Sequence, residues 1–309
     1  MKAAQISRYG KDAIEIKEIP EPKILEGKVL VEIYAASANP VDWKIRDGLA
    51  HKWMPVTFPA TLGGDFSGKI VKGSSEFKQG DEVYGSAFVL SGGTGTFAEY
   101  AATKEGLIAL KPKTIDYLQA AALPLAGVSA WQGLVEHIGI KRNQKILIHG
   151  GAGGIGVIAV QIAKHFGAHV ATTVSSKDIQ IVKMLGADDV IDYKSQKFEE
   201  IVHDYDAVFD TVGEDTYTKS FRVLKKGGII VSMVGQPSEE LMKQFGVKAI
   251  LQFTQINTER LTKISELVDK GAIKIIIDKV YSLEKAAEAL DHLENGHPKG
   301  KVVIEVKSI

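Results

Sequence analysis

The stretch ILIHGGAGGIGVIAVQIAK, residues 146–164, joins an apolar strand to an apolar helix-like run through a turn crowded with glycine. Its glycines satisfy both GxGxxG and GxxGxxG, and a second apolar strand, HVATTV at 169–174, closes a βαβ unit. Glycines at such a turn let the backbone approach a pyrophosphate, whose charge then meets the amides at a helix N-terminus. The stretch therefore predicts dinucleotide binding, with a tight structural turn as the alternative. The predicted pyrophosphate-binding residues are Gly150, Gly151, Ala152, Gly153, Gly154, Ile155 and Gly156.

The sequence on either side of this turn predicts an α/β protein of two domains. From 145 to about 256, apolar strands alternate with helix-like segments, which is typical of a doubly wound parallel sheet covered on both faces. The first 120 residues instead read as short strands broken by turns. We therefore predict a β-rich domain formed by residues 1–120 and 257–309, and an inserted dinucleotide-binding domain formed by residues 121–256.

Composition and charge limit the kinds of molecule that the protein is expected to bind. Lys and Arg number 38 and Asp and Glu number 38, so no net field favours nucleic acid or an anionic membrane. Cysteine is absent, which excludes disulfides, thiol catalysis and thiolate metal sites. No apolar run reaches the roughly 18–20 residues of a bilayer span, and the N-terminus lacks an apolar signal core. We expect a cytoplasmic protein with a small-molecule substrate.

The residues after the second strand of the βαβ unit indicate which dinucleotide is bound. A NAD site usually places an acid there for the ribose 2′-hydroxyl, whereas this strand is followed by Ser175, Ser176 and Lys177. Hydroxyls and an ammonium suit a 2′-phosphate, so the sequence predicts NADPH. We interpret Asp178 as the partner of Ser175 in a capping-box-like helix start. Tyr193 is a further candidate beside the adenosine phosphate, with simple packing as the alternative.

Six stretches together resemble the medium-chain dehydrogenase/reductases, and more narrowly their zinc-free quinone oxidoreductase branch of zeta-crystallin-like and enone reductases. They are ASANPVDWKIRDG (36–48), TLGGDFSGKIV (61–71), GDEVYG (80–85), AAALPLAGVSAWQGL (120–134), HGGAGGIG (149–156) and GHPKGKVVIEV (296–306). The resemblance implies a GroES-like barrel, a Rossmann domain, NADPH as cofactor and a homodimer.

The zinc ligands of the related alcohol dehydrogenases are replaced in this chain. Asn39 stands at the position of the catalytic cysteine, and Gly64 and Asp65 stand at the position of a His-Glu pair. The cysteine-rich structural zinc lobe is also missing, and no histidine motif of a metal site is present. We therefore expect no bound metal.

Without a Lewis acid, the easier hydride acceptors are conjugated ones, because addition to a quinone or an enone gives a delocalised anion. The resemblance assigns two candidate catalytic residues. Lys44 is expected to stabilise an enolate, with a surface lysine as the alternative, and Asn39 to donate to substrate or bound water, with a turn residue before Pro40 as the alternative. Asp42 is expected to hold the loop.

The resemblance also assigns residues to the nicotinamide pocket. Ser129 is expected to hydrogen-bond the nicotinamide amide, and Val212 and Val234 to line the pocket; a buried structural hydroxyl and ordinary core valines are the alternatives. The predicted activity is zinc-independent hydride transfer from NADPH to a quinone or an α,β-unsaturated carbonyl. A reductase of a specific biosynthetic enoyl group and an NADPH-binding sensor or structural protein are the two alternatives.

Overall fold

The computed structural model describes residues 1–308, which form two compact units. The first contains Met1–Leu125, Ile256–Lys270 and the residues from Ile275 onward; the second contains Ala126–Gln255 and Gly271–Lys274. None of the helices in 1–308 is both long and apolar enough to cross a lipid bilayer.

Strands and helices follow one another along both units. The strands are β1 (Lys2–Ile6), β2 (Ile14–Glu18), β3 (Lys28–Ala38), β4 (Ala60–Thr61), β5 (Asp65–Lys72), β6 (Glu82–Ser86), β7 (Tyr100–Lys104), β8 (Ile108–Leu110), β9 (Lys145–His149), β10 (His169–Val174), β11 (Asp189–Asp192), β12 (Tyr205–Asp210), β13 (Leu224–Ser232), β14 (Lys248–Leu251), β15 (Ile277–Ser282) and β16 (Lys301–Glu305). The helices are α1 (Pro40–Arg46), α2 (Tyr117–Ala121), α3 (Pro124–Trp131), α4 (Gly156–His165), α5 (Ile179–Met184), α6 (Phe198–Ile201), α7 (Glu214–Ser220), α8 (Glu239–Phe245), α9 (Thr258–Asp269) and α10 (Ala286–Asn295).

The first unit is β-rich, as predicted. Its larger sheet runs β15-β16-β3-β5-β6-β8, with β7 also paired to β3, and its smaller sheet runs β2-β1-β4. Strand β3 is the longest strand, and its alternating residues Val29, Val31 and Ile33 pack with Phe66 in one apolar cluster. C-terminal β16 pairs with β3 in antiparallel register, so the end of the chain lies in this unit.

The second unit confirms the predicted parallel sheet. Its order is β11-β10-β9-β12-β13-β14, and every neighbouring pair is parallel. The inner strands β9, β10 and β12 are buried along most of their length, which explains their nearly continuous apolar sequences. The order reverses between β9 and β12, and ligands of doubly wound sheets bind outside the carboxyl ends of the strands at such a point.

The predicted division of the chain differs from the observed units at 121–125, at 256 and at 271–274. Leu125 belongs to the first unit, where its backbone amide donates to the Asp65 carboxylate at 3.2 Å. Lys274 belongs to the second unit, because the Gln161 side chain on α4 bonds both its amide and its carbonyl, at 2.8 and 2.9 Å.

Two segments differ from what their sequences suggest. The run AIKIIID (272–278) is apolar enough to predict a strand along its whole length, but β15 begins only at Ile277, because the backbone of Lys274 is bonded to Gln161 instead of a neighbouring strand. The NPVDWK stretch, expected as a turn or loop, instead enters helix α1, with Pro40 at the first helical position, where its missing amide costs nothing.

Candidate functional site

The glycine turn after β9 brings backbone segments into close approach. A Cβ on Gly156 would lie 2.1 Å from the Gly150 carbonyl oxygen, and one on Gly151 would lie 2.0 Å from Thr172 Oγ1. Gly150 has φ of 74°, a left-handed conformation that favours glycine. The glycines at 150, 151 and 156 are therefore required by the turn itself, whatever it binds.

The same turn presents backbone amides that other residues leave unused. Gly153 N donates to the Gly150 carbonyl at 3.0 Å, and Gly151 N donates to the Thr173 carbonyl at 3.2 Å. By contrast, no residue in the described chain accepts from the amides of Ala152, Gly154 or Ile155. These amides precede α4, whose dipole favours an anion at its N-terminus. The arrangement fits a pyrophosphate, and the seven residues predicted for this role form one continuous turn.

The buried side chain of Asp210 holds two turns in place, the one that follows β12 and the one that follows β13. The Asp210 carboxylate, at the end of β12, accepts from the amides of Val212 and Gly213, both at 3.0 Å. Its other oxygen accepts from the Ser232 hydroxyl at 2.6 Å. Ser232 Oγ in turn accepts from Gly235 N at 2.7 Å. Sequence reasoning missed Asp210 and Ser232; a polar residue ending each of two buried strands is the signal that could have found them.

The two predicted pocket valines lie on these braced turns. Val212 is 51% exposed and Val234 is 47% exposed, so neither is an ordinary core valine. A Cβ on Gly150 would lie 3.4 Å from Val212, and one on Gly213 would lie 2.6 Å from Val234. The structure thus places the exposed side chain of Val212 beside Gly150 of the glycine turn, and the exposed side chain of Val234 beside Gly213, the residue that follows Val212.

Two buried polar residues of the second unit, His149 at the end of β9 and Ser129 in α3, have hydrogen-bond partners within the protein. The Nδ1 atom of His149 is hydrogen-bonded to Thr173 Oγ1 at 3.0 Å, and its Nε2 atom to Ser220 Oγ at 2.9 Å. Burial lowers the pKa of His149 to about 4. His149 is therefore neutral at physiological pH. Ser129 is fully buried, and its hydroxyl lies 2.7 Å from Thr254 Oγ1. The geometry of Ser129 matches the alternative of a buried structural hydroxyl, and its nicotinamide contact stays a prediction.

The predicted 2′-phosphate residues surround the carboxyl end of β10. Ser175 is buried, whereas Ser176, Lys177 and Tyr193 are exposed, Tyr193 by 58%. The Ser175 hydroxyl donates to the Asp178 carboxylate at 2.5 Å instead of accepting from a helix amide. Ser175 is therefore the N-cap of the short helical turn Ser176–Asp178 and has Asp178 as its partner, as expected, but the bond joins the two side chains and is not the side-chain-to-amide bond of a capping box.

An acid that sequence reasoning missed lies beside these residues. Asp192 ends β11, opposite Val174 in the parallel register. Its carboxylate accepts from Ser176 Oγ at 2.6 Å and from Ser195 Oγ at 3.0 Å, and the Ser176 bond is the main cause that lowers its pKa. Since a serine hydroxyl has a single proton to donate, Ser176 can donate to a phosphate only in place of this bond to Asp192.

In the first unit, the candidate catalytic residues lie at and inside helix α1. Asn39 is the N-cap and only 3% exposed. Its carboxamide oxygen accepts from Lys301 Nζ at 2.5 Å and its Nδ2 donates to the Asp65 carboxylate at 2.9 Å. Its backbone amide donates to Asp42 at 2.7 Å. Asn39 is therefore bonded within this unit on every side, and its predicted donation to substrate or water stays a prediction.

Asn39, Asp42, Asp65 and Lys301 form one buried polar cluster. Burial is the main cause that raises the pKa of Asp42, to about 7, and it also raises the pKa of Asp65. Burial likewise lowers the pKa of Lys301, which lies against these carboxylates. Asp42, expected to hold a loop, instead lies inside helix α1 and accepts from the backbone amide of its N-cap, Asn39. Lys301 was missed, because it is 262 residues away from Asn39 along the chain.

Lys44 lies in α1 with its side chain half-buried. Its ammonium lies 5.6 Å from the centre of the Trp43 ring. In residues 1–308, no side chain or carbonyl accepts a hydrogen bond from this ammonium or pairs with it. The ammonium therefore has donors that no protein group uses, a property that a residue stabilising an oxyanion needs and that a surface lysine shares.

The residues at the former zinc positions do not fit a metal ion. Asn39 is bonded to Lys301 and Asp65, and Gly64 has no side chain. Nowhere in the described part of the chain do three or more His, Cys, Asp or Glu residues gather as metal ligands. The side chains at these positions therefore satisfy one another and leave no ligand set for zinc.

Comparison with known families gives two matches. Residues 25–113 match the alcohol dehydrogenase GroES-like domain, and residues 185–304 match a family described as zinc-binding dehydrogenase. These ranges cover parts of both units.

Individual relatives match over nearly the whole chain. The chain is 39% identical to 2-methylene-furan-3-one reductase of Solanum lycopersicum, covering 98% of the chain and 79% of that protein. It is 38% identical to the chloroplastic NADPH-dependent alkenal/one oxidoreductase of Arabidopsis thaliana, with the same coverage of each. Among solved structures, the quinone oxidoreductase from Coxiella burnetii matches with a TM-score of 0.89 and 34% identity, over 99% of both chains. Escherichia coli quinone oxidoreductase complexed with NADPH matches with a TM-score of 0.89 and 26% identity, over 99% of this chain and 100% of that one.

Proposed function

Since the chain belongs to the zinc-free quinone oxidoreductase branch of the medium-chain dehydrogenase/reductase superfamily, we propose that it transfers hydride from NADPH to a quinone or an α,β-unsaturated carbonyl. The observation that carries this proposal is the glycine turn before α4, whose unused amides suit a dinucleotide pyrophosphate. The names of the relatives supply the acceptor class, since they refer to quinones, alkenals or enones and a methylene-furanone.

The second unit supplies the residues that would hold the cofactor. The amides of Ala152, Gly154 and Ile155 would bind the pyrophosphate. Ser176, Lys177 and the exposed Tyr193 would bind the adenosine 2′-phosphate. The buried Ser175 would hold this segment in place through its bond to Asp178. Since a charged hydrogen bond contributes about 1.5–3 kcal/mol, these contacts favour NADPH over NADH. When bound, NADPH supplies the hydride.

The same unit offers surfaces for the nicotinamide end. The exposed side chains of Val212 and Val234 would contact the ring, and the bonds of Asp210 and Ser232 hold their turns in place. A side chain that is rigidly held needs no reorganisation during the reaction, so these turns would orient the ring at small entropic cost. Ser129 would hydrogen-bond the carboxamide group of the nicotinamide.

The first unit supplies the group that would act on the acceptor. Hydride addition to an enone or a quinone leaves negative charge on the carbonyl oxygen, and an unpaired ammonium would stabilise this charge. Lys44 has this property, because its Nζ has no protein acceptor within the described residues. Asn39 would assist by holding the start of the helix that carries Lys44, or by donating to substrate if its bonds rearrange.

The experiment that tests this proposal follows NADPH absorbance with a panel of quinones and enones. We expect turnover by the wild type and a fall in kcat of roughly 10²- to 10³-fold in Lys44→Ala. Lys52→Ala is the matched control, since Lys52 is an exposed lysine shortly after the same helix, and it should retain wild-type kcat. Absence of turnover with every acceptor, together with tight NADPH binding, would overturn the proposed reaction and favour the sensor or structural alternative.

A homodimer in the cytoplasm is a further part of this proposal. Strand β14 forms one edge of the parallel sheet, and the nearby Phe253 is 70% exposed, which supports pairing with a second copy. Light scattering after size exclusion tests the dimer. Cell fractionation tests the compartment, since several relatives are named chloroplastic or mitochondrial.

A further inference from the structure

Helix α1 is held at its N-terminal end by residues from two distant strands. Asn39 lies between Asp65, the first residue of β5, and Lys301, the first residue of β16. Lysine can only donate and a carboxylate can only accept, so these two partners fix which way the Asn39 carboxamide faces. Lys301 Nζ also donates to the Ala38 carbonyl at 3.2 Å.

The C-terminal end of the same helix is held by a second buried charge. The Arg46 guanidinium is fully buried and donates to Asp47 at 2.7 Å, to Asp291 at 2.7 Å and to Glu294 at 3.0 Å. Asp291 and Glu294 lie on α10, so Arg46 ties the end of α1 to that helix. Ile45 supports this contact, because it packs in the same apolar cluster as α10.

Lys44 lies between these two anchors. A helix of seven residues is not stable by itself, so the position of α1 depends on its anchors. The Lys44 ammonium has no protein partner in residues 1–308 that would fix it independently. Its position is therefore set by the helix backbone and by its contact with Trp43.

We propose that Lys301 and Arg46 are positioning residues, which act on the reaction through helix α1 by holding Lys44 in place. This inference rests on the proposed function, in which Lys44 stabilises the charge that develops on the acceptor. Neither residue touches the substrate in this scheme. A displacement of the order of 1 Å can cost about 10²-fold in rate, so loss of either anchor should lower kcat.

The first test is a double-mutant cycle in kcat with a saturating enone and NADPH. Lys301→Met should lower kcat about 10- to 100-fold in the wild-type background, but less than about 3-fold in the Lys44→Ala background, because the group being positioned is then gone. The KM for the enone should change less than kcat. Equal fold losses in the two backgrounds would overturn the proposal.

A second variant covers the case in which Lys301→Met does not fold. Asp291→Asn combined with Glu294→Gln weakens the Arg46 anchor from its accessible side, and it should give the same non-additivity with Lys44→Ala. Lys11→Ala is the matched control, since it removes the exposed Lys11–Glu294 pair and leaves Arg46 with all its partners. This control should keep wild-type kcat.

Amide hydrogen exchange of the peptide covering α1 separates this proposal from the proposed function. Both anchor variants should exchange at least about 10-fold faster in this peptide, while the glycine-turn peptide and the affinity for NADPH stay unchanged. Unchanged exchange in α1 would overturn the positioning role even in an active enzyme. A wild type that reduces no acceptor would overturn the proposed function, and the exchange result would still decide whether the anchors hold α1.

Discussion

Asp42 makes the stability of the first unit depend on pH in an unusual direction. Burial raises the pKa of its carboxyl from 3.8 to about 7, even though the Asn39 amide donates to it. In the unfolded chain the group titrates near its ordinary value. Between these two values the folded state therefore binds more protons than the unfolded state. The free energy of unfolding should fall as pH rises through this window and stay at its lower level above pH 7.

The size of the effect follows from the same two values. Since one pKa unit corresponds to about 1.4 kcal/mol, the full window is worth at most about 4 kcal/mol, and the part between pH 5 and pH 8 about 3 kcal/mol. Asp42→Asn removes the titration and keeps an oxygen that accepts from the Asn39 amide. We expect this variant to gain stability over the wild type as pH rises, by up to about 3 kcal/mol across this range.

Urea unfolding followed by tryptophan fluorescence measures this difference. A Trp131→Phe background leaves Trp43 and Trp53 as reporters, and both belong to the first unit. Glu76→Gln is the control, because Glu76 is exposed in the same unit and its profile should run parallel to that of the wild type. If the Asp42→Asn profile also runs parallel to the wild type between pH 5 and pH 8, the reasoning from burial is wrong.

Three further predictions concern the second unit. Gly156→Ala should destabilise the protein by about 2–3 kcal/mol, because its Cβ would lie 2.1 Å from the Gly150 carbonyl oxygen. Gly153→Ala should destabilise it less, since the nearest atom to its Cβ would be 3.3 Å away. Equal melting temperatures of the two variants would contradict this prediction. Lys177→Ala should lower the ratio of kcat/KM for NADPH to that for NADH by about 10- to 150-fold, and an unchanged ratio would remove Lys177 from phosphate binding. Asp192→Asn should raise the same ratio by roughly 3- to 10-fold, because it removes a negative charge bonded to Ser176; a fall in the ratio would show that this carboxylate supports NADPH binding.

The sequence by itself determined the features that depend on local sterics and periodicity. The glycine turn is readable because only glycine tolerates the close approach at 156, and a strand before it and a helix after it are encoded in adjacent residues. The alternation of apolar strands with helices likewise predicted the parallel sheet. The absence of cysteine excluded thiolate metal sites, whereas the assignment of residues 39, 64 and 65 to zinc-ligand positions came from the family resemblance.

Only the tertiary structure decided which polar groups meet. Lys301 reaches Asn39 because β16 pairs with β3 across the chain, and Asp192 reaches Ser176 because β11 lies beside β10 in register. Strand order and register bring these pairs together, and hydrophobic periodicity specifies neither. The fold class was therefore readable from short segments. The bonding of Asn39, the anchors of α1 and the bond from Ser176 to Asp192 depend on contacts between segments far apart in the chain.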